Sequence, residues 1–208
     1  MRQSEYKYGF IGCKALWKHS QECFLCFGEY MRRGLRGSGF EEMINLTNQA
    51  YYDDDLAVIQ KIPTSITPVE LSGEKRVITL AYFDRKSTVD YVGNVQGIPV
   101  CFDAKETRLK SLPVANIHEH QISFMEKFRS QGGLSFMLVH FTDEDTTYIL
   151  EFDTIKKYWD IAKNGGRKSI PRDIFNEELR IEQNLRYPIH SLEKLEVYLQ
   201  MEEEKGNM

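Results

Sequence analysis

Apolar residues recur at helical spacing through Phe40, Met43, Ile44, Thr47, Ala50 and Tyr51, which predicts a helix over about 39–52 with one face turned to a core. Ser38-Gly39-Phe40-Glu41 has the spacing of a capping box at its start. The period then changes. Leu56–Ile62 is a short β-branched stretch behind the acidic triplet Asp53-Asp54-Asp55, Pro63 and Pro68 interrupt regular structure, and Arg76–Phe83 resumes an apolar run. This reads as strand, irregular excursion, strand. Thr88–Gly93 and Gly97–Lys105 flank Asn94-Val95-Gln96, a hairpin signal. Asn116-Ile117-His118-Glu119 starts a second helix that reaches about Ser130 and stops at Gly132-Gly133. Leu134–Phe141 and Thr146–Phe152 predict two further strands around the turn Thr142–Asp145. Thr154–Lys163 predicts a third helix broken at Gly165-Gly166, and a polar, mostly helical C-terminus follows. The order of these elements points to an α/β fold, a mixed central sheet flanked by helices.

Composition changes that picture little. The chain has 208 residues, 41% hydrophobic and 28% charged, which fits one globular domain and excludes collagenous, low-complexity and wholly disordered classes. No apolar run approaches the roughly 18 residues that span a bilayer, and Met1–Glu5 leads into no uninterrupted apolar stretch, so neither membrane insertion nor secretion is expected. Cysteines at 13, 23, 26 and 101 are too sparse for a disulfide framework; reduced thiols in a cytoplasm are expected. The net charge of -4 gives no global attraction to nucleic acid. Residues 1–40 nevertheless carry seven basic and three acidic groups, and the run Arg32-Arg33-Gly34-Leu35-Arg36-Gly37 reads as a basic loop. Residues 1–36 therefore stand as a basic, aromatic N-terminal segment and 37–208 as the folded domain. Within that segment Cys13, His19, Cys23 and Cys26 have spacing that a tetrahedral zinc can use, but two separated ligand pairs are the usual arrangement and a packed aromatic segment is the expected reading.

Candidate chemistry concentrates in Thr88-Val89-Asp90-Tyr91 and Ile98-Pro99-Val100-Cys101-Phe102-Asp103-Ala104-Lys105. In a strand Cys101, Asp103 and Lys105 share one face, and Ile98, Val100 and Phe102 the other. An even loop, such as Asn94–Gly97, places 90 opposite 101 and 88 opposite 103, so that Thr88, Asp90, Asp103 and Lys105 converge; an odd loop separates them. Two converging carboxylates repel unless a cation sits between them, and hard oxygen ligands suit Mg²⁺. Lys105 then stands beside the metal, an arrangement fitted to phosphodiester hydrolysis. By pattern alone, two surface acids and a lysine on a half-exposed strand remain the plainer reading.

Motifs in order along the chain add to this. Gly39-Phe40-Glu41-Glu42-Met43-Ile44-Asn45 with Thr47-Asn48, Ala81-Tyr82-Phe83, Ser87-Thr88-Val89-Asp90-Tyr91, Phe102-Asp103-Ala104-Lys105-Glu106-Thr107, His118-Glu119-His120-Gln121, Gln131-Gly132-Gly133 and Gly165–Pro171 resemble the RecU family of Holliday junction resolvases over about residues 31–200. The likeness begins at Met31, where an alternative translation start also fits. It implies a restriction-endonuclease-like mixed five-stranded sheet, a homodimer, Mg²⁺-dependent nicking of four-way DNA junctions and dealings with a recombinase. Matched residue by residue, Thr88, Asp90, Asp103 and Gln121 fall on the family's metal-site positions, and Lys105 on its transition-state stabiliser. Asp103 departs from the family, which usually has Glu there. Glu41 matches an acidic catalytic residue on the first helix, with the capping box as its other reading; Gln121 can equally be an amide buried on a packing face. His118 and His120, two apart on a helix, are expected to point to different faces. The excursion from about Pro63 to Lys86 corresponds to a stalk that projects from the RecU body, and its alternating charged and apolar residues also fit a plain β-hairpin. Arg33 and Arg36, and Lys163, Arg167, Lys168 and Arg172 around Gly165-Gly166, are candidate DNA contacts. Tyr51, Tyr52, Ile66, Val77 and Tyr82 supply apolar surface for a dimer. The rival to a nuclease is a junction-binding or recombinase-modulating protein with little cleavage.

Overall fold

A computed structural model describes residues 39–64, 66–72, 77–83 and 88–206. The helices are α1 (Gly39–Asp53), α2 (Glu119–Ser130), α3 (Phe152–Lys163) and α4 (Leu192–Glu204). The strands are β1 (Val58–Lys61), β2 (Ile66–Ser72), β3 (Val77–Phe83), β4 (Tyr91–Val95), β5 (Ile98–Thr107), β6 (Ser111–Pro113), β7 (Leu134–Phe141), β8 (Thr146–Glu151), β9 (Ser169–Pro171) and β10 (Arg180–Ile181). The main sheet has the order β1-β4-β5-β7-β8-β10, antiparallel except for the parallel β5–β7 pair. It is the mixed sheet that the pattern predicts, with six strands where the resemblance implies five, because the two-residue β10 adds to β8.

Alternation along the strands divides the core. On one face Cys101, Met137, Val139 and Leu150 pack with Ile122 and Met125 of α2 and Ile155 of α3. On the other, Tyr91, Phe102 and Phe136 stack at centroid distances of 4.7 and 5.0 Å, Tyr198 of α4 meets Phe136 edge-on, and Phe40 of α1 stacks on His140. β7 lies between these layers and is buried along its whole length, which is why it reads as an unbroken apolar run.

The β4–β5 turn decides the site. It consists of Gln96 and Gly97 alone, both at positive φ (49° and 96°), a two-residue connection whose twist matches the strands it joins. Asn94 Oδ1 accepts the Gly97 amide at 2.8 Å and helps hold it. The loop is even, as convergence requires, but it sits two positions later than a four-residue loop would. Tyr91 therefore pairs with Phe102 and the next position brings Asp90 opposite Asp103, not opposite 101. Strand parity ends there: the backbone bends at Thr88 and Asp90, and Val89 is buried in the same cluster as Cys101, so Thr88 is not placed by the ladder.

Several expectations need correction. In place of irregular chain the excursion forms the hairpin that its alternating residues also fit: β2–β3 makes its own two-stranded sheet with register shifts around Pro68, Glu70 and Leu71, where an irregularity accommodates the proline. Its Ile66, Val69, Val77, Ile78, Leu80 and Tyr82 are exposed. Of the residues expected on a dimer surface, Tyr51 is wholly buried, its phenol 2.9 Å from His190 Nδ1. The C-terminal third is not mostly helical before α4. Ile170, Phe175, Leu179 and Ile181 are drawn into the core through β9, two short 3-10 turns and β10, with Pro171 and Pro188 unsuited to helix interiors. The residues 1–38, which include Arg33, Arg36, Ser38 and the cysteine–histidine cluster, lie outside the described residues.

Candidate active site

Two reciprocal hydrogen bonds lock the carboxylates together at the start of the β4–β5 ladder. Asp90 Oδ2 accepts the Ala104 amide at 3.0 Å, and Asp103 Oδ1 accepts the Asp90 amide at 3.2 Å. Each acid thus depends on the backbone of the other strand, and both follow from the register set at Gln96-Gly97. From above the sheet, α2 contributes Gln121, whose Nε2 donates to both Asp103 oxygens at 2.9 Å. Gln121 Oε1 accepts the His118 amide at 2.9 Å, which fixes the orientation of the carboxamide. Lys105, two residues beyond Asp103, completes the group by direct contact of its Nζ with Asp103 Oδ2.

Asp103 is fully buried. Burial pushes its carboxyl up to about 7, with the Asp90 charge acting in the same direction and Lys105 pulling it down. Desolvation wins because a buried anion loses its water shell, and one lysine does not neutralise two carboxylates. A hard divalent cation would supply the missing charge, and Asp90 and Asp103 are the residues that would hold it. Among the described residues there is no cluster of three or more His, Cys, Asp or Glu suited to a metal. Two acids with water completing the shell is the way Mg²⁺ is commonly held, whereas a structural zinc needs four protein ligands. As oriented, Gln121 clamps Asp103 and its oxygen is committed to His118.

Glu41 comes from a different element. It lies on α1, the helix covering the opposite face, and its carboxylate meets Lys61 Nζ at 2.6 Å. Between the two sides is Tyr91, unremarked in the sequence, whose hydroxyl donates to Asn45 Oδ1 at 3.0 Å. Burial raises its pKa, and the charges of Glu41, Asp90 and Asp103 raise it further. Thr88 is exposed two residues before Asp90. The rings of His118 and His120 stack at 5.4 Å instead of diverging, because His118 is the N-cap residue and not part of the helix proper.

The basic loop after α3 reaches the same neighbourhood. Lys168 O accepts the Val114 amide at 3.0 Å just before α2, and Lys163 Nζ lies 3.3 Å from Glu119, two residues from Gln121. Gly165 takes φ +82° to turn the chain. Arg167 and Lys168 are exposed. Arg172 is committed to the fold: its guanidinium lies 4.1 Å over Tyr148 and pairs with Glu177 at 3.1 Å and Glu144 at 3.5 Å.

The family described as recombination protein U, RecU, matches residues 35–197. The Holliday junction resolvase RecU of Oceanobacillus iheyensis is 44% identical over 150 residues, covering 70% of this chain and 76% of that protein. That of Limosilactobacillus reuteri is 46% identical over 155 residues (72% and 76%), and that of Leuconostoc citreum 40% over 172 residues (80% and 83%).

Proposed function

Because this chain belongs to the RecU family, we propose that it is a Mg²⁺-dependent, structure-selective endonuclease that resolves Holliday junctions by paired, symmetric nicks. The observation that carries the reading is the buried Asp103 held against Asp90 and Lys105, a site with an excess of negative charge beside a lysine. Asp90 and Asp103 would hold the metal, which when bound lowers the pKa of an attacking water and offsets phosphate charge. Gln121 keeps the Asp103 carboxylate from turning away. Lys105, tethered to Asp103, orients that water or meets the charge that builds on the phosphorane. Lys105→Ala should lower the cleavage rate by about 10² to 10³, the range for loss of an electrostatic stabiliser, in a single-turnover assay on a labelled four-way junction. Normal cutting by that variant would move the cationic role elsewhere. The reading as a whole is tested by comparing the junction in Mg²⁺ with the junction in EDTA: nicking only in Mg²⁺ supports it, and binding without nicking in either favours a junction-binding protein.

Arg167 and Lys168 are the DNA contacts best supported by their exposure, next to a loop tied to α2. Replacing both with Ala should weaken binding to all junction sequences alike and reduce the slope of log K against log salt by up to about 2, since each phosphate contact contributes about 0.9. An unchanged slope would leave the loop merely solvated. We further read 37–208 as the nuclease domain, with 1–36, including Arg33 and Arg36, as a separate basic segment, and the protein as a cytoplasmic homodimer. Among the described residues no helix is long and apolar enough to cross a membrane. A two-fold dimer matches a junction with two equivalent scissile strands, and the exposed Tyr52, Ile66, Val77 and Tyr82 offer apolar surface for it.

A further inference from the structure

Between β5 and β6 the chain turns through Arg108-Leu109-Lys110, three exposed residues of which Leu109 is 58% exposed. The turn is fastened from beneath. The Leu109 amide donates to Thr107 Oγ1 at 3.1 Å, the Thr142 amide to Thr107 O at 3.0 Å, and the Arg172 amide to Lys110 O at 3.1 Å. An apolar side chain is therefore held more than half exposed on a fixed base, with a basic residue on each side.

Its position relative to the site is set by two ladders. Leu109 follows Lys105 by four residues on the same chain segment, so their Cα atoms are at most about 13 Å apart. In the β6–β9 pair, Ser111 lies opposite Pro171 and Pro113 opposite Ser169. The turn immediately precedes Ser111 and Arg167-Lys168 immediately precede Ser169, so the two basic loops flank opposite ends of a ladder three residues long, about 7 Å between its end positions. Arg108 and Lys110 thus lie one three-residue ladder from the Arg167-Lys168 loop and within five residues of Lys105 along the chain.

Resting on the nuclease reading above, we infer that Leu109 is a wedge that enters the base stack beside the scissile phosphate, with Arg108 and Lys110 holding the flanking phosphates. Leucine between cations has the chemistry for this: the base faces are apolar, and inserted apolar side chains unstack a step and kink the duplex. A reach of about 13 Å spans about four base steps at 3.4 Å each, so the opened step lies close to the cut. Unstacking costs least where pairing or stacking is already interrupted, so the wedge favours a branch point over continuous duplex and contributes to structure selectivity.

The test uses wild-type protein and Leu109→Ala in EDTA, where the reading allows binding without cutting. Junctions carry 2-aminopurine at single positions within four bases of the nick, and a distant anisotropy label reports binding. Wild type should raise 2-aminopurine fluorescence at one of those positions. Leu109→Ala should lose most of that rise while binding with nearly the same Kd, and Leu109→Met should restore it; Leu109 is exposed, so none of these changes disturbs the core. An undiminished rise with Leu109→Ala, or no rise at any position with a junction that is bound, overturns the wedge and leaves the nuclease reading intact. Failure of wild type to bind the junction at all overturns both.

Discussion

The Asp103→Ala protein is expected to bind a four-way junction about as tightly as the parent and to cut it at no measurable rate in Mg²⁺. Asp103 is the acid on which the rest of the site converges: Gln121, Lys105 and the Asp90 amide all meet its two oxygens. Removing it takes away a proposed metal ligand and releases Lys105, whereas Arg167 and Lys168, the proposed phosphate contacts, belong to another loop. Folding should survive, because a carboxylate that burial pushes up to about 7 is itself unfavourable as an anion at neutral pH. Asp90→Ala should behave alike, since Asp90 Oδ2 fixes the Ala104 amide next to Asp103. Gel shift in EDTA and strand nicking in Mg²⁺ separate the two properties, and near-parental cutting by either variant would remove chemistry from this pair.

The second large effect is expected beneath the site. Phe102 is stacked between Tyr91 and Phe136 and almost completely buried, and it lies next to Asp103 on the same strand. Phe102→Ala removes the middle ring and leaves a cavity in a close-packed layer, a change that costs about 3 to 5 kcal/mol. For a domain of this size each kcal/mol lowers Tm by about 2 to 4 °C, so thermal melts followed by circular dichroism should show a fall of about 12 °C. A fall of only a degree or two would mean that the layer collapses to fill the space and that the ring stack does not hold the site strands in place.

Much of this was legible in the sequence where one physical signal dominates. The helical spacing of Phe40, Ile44 and Tyr51 and the unbroken apolar run of β7 are statements about burial, and the structure buries them accordingly. The face shared by Asp90, Asp103 and Lys105 follows from parity alone, which survives an error of two in the loop. The register itself depends on Gln96 adopting positive φ, a conformation that a glutamine does not advertise. Around Pro68 the prolines suggest irregular chain while the alternating residues beside them suggest a hairpin, and a bulged two-stranded hairpin accommodates both. Arg172 reads as part of a basic loop until the fold places Tyr148, Glu144 and Glu177 around it. Long-range partners of this kind leave no local trace, and neither does the carboxamide of Gln121 turning its nitrogen toward Asp103 and its oxygen toward the His118 amide.

The central claim, that the Asp90–Asp103–Lys105 site resolves four-way junctions in pairs, is tested most directly on a junction labelled on each strand in turn and incubated with the wild-type protein and Mg²⁺. Nicks at symmetric positions on two opposed strands within one bound complex are expected, yielding two ligatable duplexes, from a particle of twice the chain mass in light scattering. Single, uncorrelated nicks from a particle of one chain mass, or an uncut junction, would contradict it.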